Sequence, residues 1–155
     1  MERIVSHRRA AWHSSAANYN NTAHLVTEGL CNPLETGLES GWISGGSGIE
    51  WLYIDLGCDT RVSAVTVYWG EAFAVSYSIQ GSNDAVAWTT LSQAAGTANS
   101  RVTTALSGAR ARYVRILCRR ASGVHYHILT VERVKTTWPR RLIYCRSPTS
   151  TVQCT

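Results

Sequence analysis

The chain has 155 residues, 45% of them hydrophobic and 16% charged, a balance that fits one folded domain and excludes a disordered polymer. No apolar run approaches the roughly 20 residues of a membrane-spanning helix, and the opening MERIVSHRRAAWHSS lacks the apolar stretch of a secretion signal. The formal net charge of +5 gathers at the two ends, while eight arginines meet nine carboxylates between residues 10 and 134, which is not the basic stripe of a nucleic-acid binder.

Taken in chain order, the predicted elements are short strands. Trp51 to Gly57 reads WLYIDLG, in which Leu52, Ile54 and Leu56 alternate with Trp51, Tyr53 and Asp55. Period two sends these sets to opposite faces of a sheet. Val62 to Trp69 follows, rich in β-branched and aromatic residues. Further runs are Ser76 to Ser82, Trp88 to Leu91, Arg101 to Leu106, Ala111 to Cys118 and His127 to Val134. Ser82-Asn83-Asp84 and Ser107-Gly108 supply turn chemistry between them. Gly45, Gly46 and Gly48 make a loop before Trp51. The pattern predicts an all-β sandwich or barrel. Its core is expected to hold Leu52, Ile54, Leu56, Val65, Val67, Ile79, Val114 and Ile116. Trp42, Trp51, Trp69 and Trp88 are expected in or beside it.

Five cysteines, at positions 31, 58, 118, 145 and 154, leave at least one thiol without a partner in the chain. No CxxC pair supports a zinc or redox site. Cys58 and Cys118 read as small buried hydrophobes. His125 and His127, two apart, share one face of a strand, but no third metal ligand is evident. There is no GxSxG elbow and no HExxH helix, so the chain is expected to be non-catalytic.

Several phrases in order resemble a known family. EWLYIDLG at Glu50 to Gly57, followed by VSAVTVYW, is similar to the WIxVDLG–strand signature of discoidin domains, also called coagulation factor V/VIII type C domains. Their bacterial branch is carbohydrate-binding module family 32. His24 to Gly29 resembles the family's Asp-Gly loop, Ser40-Gly41-Trp42 its Thr-x-Trp element, SYSIQGSN with Trp88 its YxIxxSxDGxxW stretch, and ARYVRI its late strand. The resemblance implies an eight-stranded, jelly-roll-like, galactose-binding-domain-like β-sandwich over residues 12–134. Residues 1–11 are then an N-terminal extension and residues 135–155 a C-terminal tail or linker.

The same resemblance implies a non-catalytic module that targets a parent extracellular enzyme or surface protein to glycans. Its expected place is extracellular, periplasmic or on the cell surface. The alternative it offers is an adhesion module for protein or lipid headgroups. Sugar binding asks for an aromatic face against the ring and charged groups for its hydroxyls. Glu71 and Arg120 are the expected hydroxyl partners, and Phe73 or Tyr126 the platform, with Tyr19 and His24 nearby. The family's sugar-bonding Glu falls at Gly70 here, with a carboxylate one residue later. A structural Ca²⁺ is implied at Glu28, Asn32 and Ser40, closed by Glu132, although Thr130 competes for the closing place.

Overall fold

The computed structural model describes residues 2–4, 6, 8–27 and 41–137, with the backbone alone given for residues 2–4 and 132–137. Its elements are strands β1 (Glu2–Ile4), β2 (Ala11–His13), β3 (Trp42–Ile43), β4 (Glu50–Trp69), β5 (Ala74–Ser82), β6 (Thr89–Ala94), β7 (Arg101–Ala121) and β8 (His127–Thr137), and a 3₁₀ turn at Ala23–Thr27. All pairings are antiparallel, in the order β1-β8-β4-β7-β5-β6, with β2 beside β4 and β3 beside β8. The all-β, eight-stranded expectation holds. Strand β1, in the stretch expected to be an extension, pairs with Lys135–Thr137, in the stretch expected to be a tail.

The main difference from the sequence reading is continuity. Two predicted strands on each side of a turn signal are single strands here, β4 with 20 residues and β7 with 21. Straight, β4 would run about 65 Å, far beyond the width of one core. Instead both its ends approach Tyr126–His127: the Tyr126 hydroxyl donates to Gly48 O at 2.7 Å, and Gly70 N–H donates to His127 O at 2.8 Å. The β4–β7 pair therefore folds over on itself. Its corner holds register shifts between Asp55 and Thr60 and between Val62 and Ala64, and glycines at φ 91° (Gly57) and 74° (Gly108). Only glycine takes such angles without steric cost. Ser107-Gly108 is thus a bend inside a strand, not the end of one.

Folding over turns one alternating strand into both layers of a sandwich. Leu52, Ile54 and Leu56 from one half, and Val62, Val65 and Val67 from the other, are at most 2% exposed and belong to one core. Ile79, Val114 and Ile116 join them, so every expected core residue is buried. Each such side chain contributes roughly 1.5–3 kcal/mol through burial. Trp42 and Trp69 are fully buried, whereas Trp51 and Trp88 are half-buried on the outside. Cys118 is buried and free; burial, helped by Glu50, pushes its thiol well above the usual range and keeps it protonated. Cys58, expected to be a buried hydrophobe, is half-buried and disulfide-bonded.

Polar groups fix the end of the sandwich that holds the corner. Asp84 Oδ1 accepts the N–H groups of Val86 and Ala87, both at 2.9 Å, and Asn83 Oδ1 accepts that of Arg112 at 2.9 Å. The predicted Ser82-Asn83-Asp84 turn thus works as its residue types suggest. Arg112 grips Asp55 with two hydrogen bonds, at 2.9 and 3.0 Å, across β4 and β7. Burial alone would push the Asp55 carboxyl up. The Arg112 bonds, the Gly57 N–H at 2.8 Å and the charges of Arg112 and Arg9 outweigh it and hold the group below the usual carboxylate range. A depressed carboxylate stabilises the fold above its unfolded pKa of about 3.9 and loses that contribution as pH falls through the folded value. Asp55→Asn should therefore lower the melting temperature at pH 7, and the gap from the parent protein should close on acidification from pH 5 towards pH 3, as followed by circular dichroism.

Candidate functional site

Because β4 and β7 fold over, their four ends and the loops beside them meet at one end of the sandwich. The connection from β4 to β5 carries Gly70, Glu71, Ala72 and Phe73; that from β7 to β8 carries residues 122–126. The two loops are sewn together. Phe73 N–H donates to Ser122 Oγ at 3.0 Å, Ser122 N–H to Phe73 O at 2.9 Å, and His127 N–H to Ala72 O at 3.0 Å. Asn99 N–H adds a bond to Gly70 O at 2.8 Å. With their backbones committed to each other, these loops present side chains from a fixed frame.

Of the expected ligand residues, Glu71 and Arg120 are exposed, and Phe73 is half-buried with its inner side against the core. Glu71 and Phe73 stand on the first of the sewn loops, and Arg120 at the end of β7 opposite Ser76. Tyr19 and His24 stand elsewhere on the rim. Their segment is tied to β3, through Ala17 N–H to Ile43 O at 2.8 Å, and to the loop before β4, through Gly45 N–H to Ser15 Oγ at 2.9 Å. The Tyr19 ring is 98% exposed. His24 is exposed beside Thr22.

Tyr126 requires a correction. A platform must show a ring face to solvent, and Tyr126 is 0% exposed. Its N–H donates to Ser44 Oγ at 2.8 Å, its carbonyl accepts from Ser44 N–H at 3.0 Å, and its hydroxyl reaches Gly48 O. Burial, with the Glu50 carboxylate nearby, pushes its hydroxyl up to about 12, so it remains a proton donor. Tyr126 is a pillar for the loop before β4, not a ligand surface. Sequence gives no warning, because a buried tyrosine with a satisfied hydroxyl and an exposed one read alike.

The residue that sequence underrated is His127. A methyl group on Gly70 would stand 2.4 Å from Nδ1 and 2.7 Å from Cγ of His127. The imidazole therefore lies over the position where the resembling family carries a glutamate. Glycine at 70 and histidine at 127 are one steric unit, separated by 57 positions in sequence, so neither alone signals the other.

Among the described residues no group of three or more His, Cys, Asp or Glu is placed to hold a metal ion. The expected calcium ligands Glu28, Asn32 and Ser40 lie outside the described residues, and Glu132 is described by its backbone in β8. The competing Thr130 is 3% exposed, and its Oγ1 is buried without a hydrogen-bond partner among the described residues.

Gly70→Glu alone should lower stability by about 1–3 kcal/mol, the usual range for overpacking. Combining it with His127→Ser should recover most of that loss. Urea denaturation of the parent protein, the two single variants Gly70→Glu and His127→Ser, and the double variant checks this; equal losses in Gly70→Glu and the double variant would show that the imidazole is not the obstacle.

No curated protein matches the chain. Among solved structures it is similar to a chitosan-binding module 1 from a chitosanase/glucanase of Paenibacillus sp. IK-5, with 24% identity, 83% of this chain and 96% of that chain covered, and a TM-score of 0.71. Module 2 of that enzyme, in complex with chitotriose, gives 24% identity, 81% and 95% coverage and 0.71. The family 32 module of NanJ from C. perfringens, in complex with galactose, gives 16%, 84% and 96%, and 0.71. At these identities the likeness speaks for the fold. The family model for the F5/8 type C domain matches residues 6–134, and the chain belongs to that family.

Proposed function

We propose that the chain is a non-catalytic carbohydrate-binding module whose site is the sewn pair of loops, and that it serves a larger glycan-active protein outside the cell. The observation that carries this reading is the frame itself. Three backbone-anchored contacts between the loops hold one half-exposed ring, Phe73, beside an exposed carboxylate, Glu71, and an exposed guanidinium, Arg120. An apolar ring suits the C–H face of a sugar, and charged groups form the stronger hydrogen bonds to its hydroxyls. The similar modules bound to chitotriose and galactose support this class of ligand. On a glycan array the parent protein should bind, and Arg120→Ala and Phe73→Ala should each lose at least tenfold in affinity with melting curves little changed for the arginine variant. Full binding by both variants would place the site elsewhere.

A second reading draws on a different observation. Tyr19, Ile49 and Val124, at the tips of three loops on this same end, are 98%, 66% and 79% exposed. Apolar tips of this kind suit insertion into a lipid surface, with Arg120 meeting headgroup phosphates. Sedimentation with anionic liposomes but no capture by glycans would favour it over the sugar reading.

We further propose a structural calcium ion in the segment of residues 28–40, closed by Thr130 or Glu132. The Thr130 hydroxyl, buried without a partner among the described residues, supports it, since calcium takes oxygen ligands in sets of six to eight. Chelator treatment should lower the melting temperature by several degrees and added Ca²⁺ should restore it.

A further inference from the structure

The outer face of the sheet, which reaches the loop end at Trp51 and Arg119, carries rings and charges that the proposed rim site does not use. Across it runs a row from Trp12 on β2 through Tyr53 on β4 and Arg115 on β7 to Gln80 on β5. Tyr53 is the hub of the rings. It stacks on Trp12 at 5.1 Å and on Trp51 at 5.4 Å, and meets Trp88 at 5.3 Å and Tyr113 edge-on at 5.9 Å. Trp12, at the margin, is 44% exposed.

Two arginines beside this bank share one arrangement. Arg115 donates from Nε to Gln80 Oε1 at 2.8 Å, with its guanidinium 4.2 Å over the Trp88 ring. Arg119 donates from Nε to Ser78 Oγ at 3.3 Å. Each side chain is thus held through Nε by a neutral partner on β5. The terminal nitrogens of both make no hydrogen bond or ion pair among the described residues. That leaves the flat, two-nitrogen edge of each guanidinium for a ligand, the edge that matches a carboxylate or sulfate bidentately. The nearby Arg112 differs, because Asp55 already fills its fork.

Spacing then narrows the ligand. Four residues along one strand separate the two Cα atoms by roughly 13 Å, which suits anionic groups repeated along one chain more than a single small anion. The rings supply an apolar floor for sugar C–H groups. Nucleic acid is disfavoured by charge: the near-neutral body lacks the usual basic stripe.

We propose that this face is a second binding site, for an anionic polysaccharide chain whose carboxylate or sulfate groups are taken by Arg115 and Arg119. It uses none of the side chains assigned to the rim site. Affinity electrophoresis of the full chain in native gels containing polygalacturonate, dextran sulfate or uncharged dextran tests it. Retardation is expected in at least one anionic gel and not in dextran. Which anionic polymer retards the chain more distinguishes carboxylate from sulfate. Added salt should weaken retardation. The double variant R115Q/R119Q should bind at least tenfold more weakly, and R119Q alone, at an exposed side chain, several-fold more weakly. R120A, at the rim, should migrate like the parent protein. Unchanged retardation of R119Q and the double variant, equal loss in R120A, or equal retention by single-stranded DNA would overturn the proposal.

Discussion

The structure depends on one constraint: two long paired strands cannot lie flat in a core of this width, so they fold over together. Gly57 and Gly108 allow the bend, and the register shifts beside them absorb the mismatch between the inner and outer paths. Once the pair is folded, a single alternating pattern supplies both walls of the core. The same act carries four strand ends to one edge. The loops that meet there, and the side chains they present, are a product of that geometry.

The two faces of each strand then serve different purposes. Inward residues such as Leu52, Ile54 and Ile116 are excluded from water and set the register, because a slip of one residue would expose them all. Outward residues such as Trp51, Tyr53 and Arg115 are free of that demand. Here they form an organised surface of rings and cations instead of a solvated one. The resulting molecule has a rim of anchored loops and a flank of ordered side chains, built from alternate letters of the same strands.

The core was legible in the sequence because burial has a period: the eight residues expected inside are all inside. The turn at Ser82-Asn83-Asp84 was legible because its chemistry is local. Strand continuity through the corner was not, since Ser107-Gly108 has the composition of a chain reversal and only the pairings on its two sides, Val62 with Ala109 and Ala64 with Ala105, show that the ladder continues. Strands β2 and β3, of three and two residues, are too short for any periodic signal. At the site, loop membership of Glu71 and Phe73 could be read from their flanking strands, whereas Arg120, expected in a loop, still belongs to β7. Exposure could not, and Tyr126 shows the cost. Nor could the fit of His127 over Gly70, which exists only once β8 lies beside the end of β4.

The pairing of β1 with β8 has a mechanical consequence. Glu2 faces Thr137, Arg3 faces Thr136 and Ile4 faces Lys135. Tension that parts the chain at Glu2 and Thr137 pulls on the outermost rung of an antiparallel ladder, and each rung takes the whole load only after its neighbour has given way. Such a ladder unzips at low force. In a longer polypeptide stretched by shear, the margin formed by β1 would peel first and leave the folded-over pair of β4 and β7, with its loops, still closed.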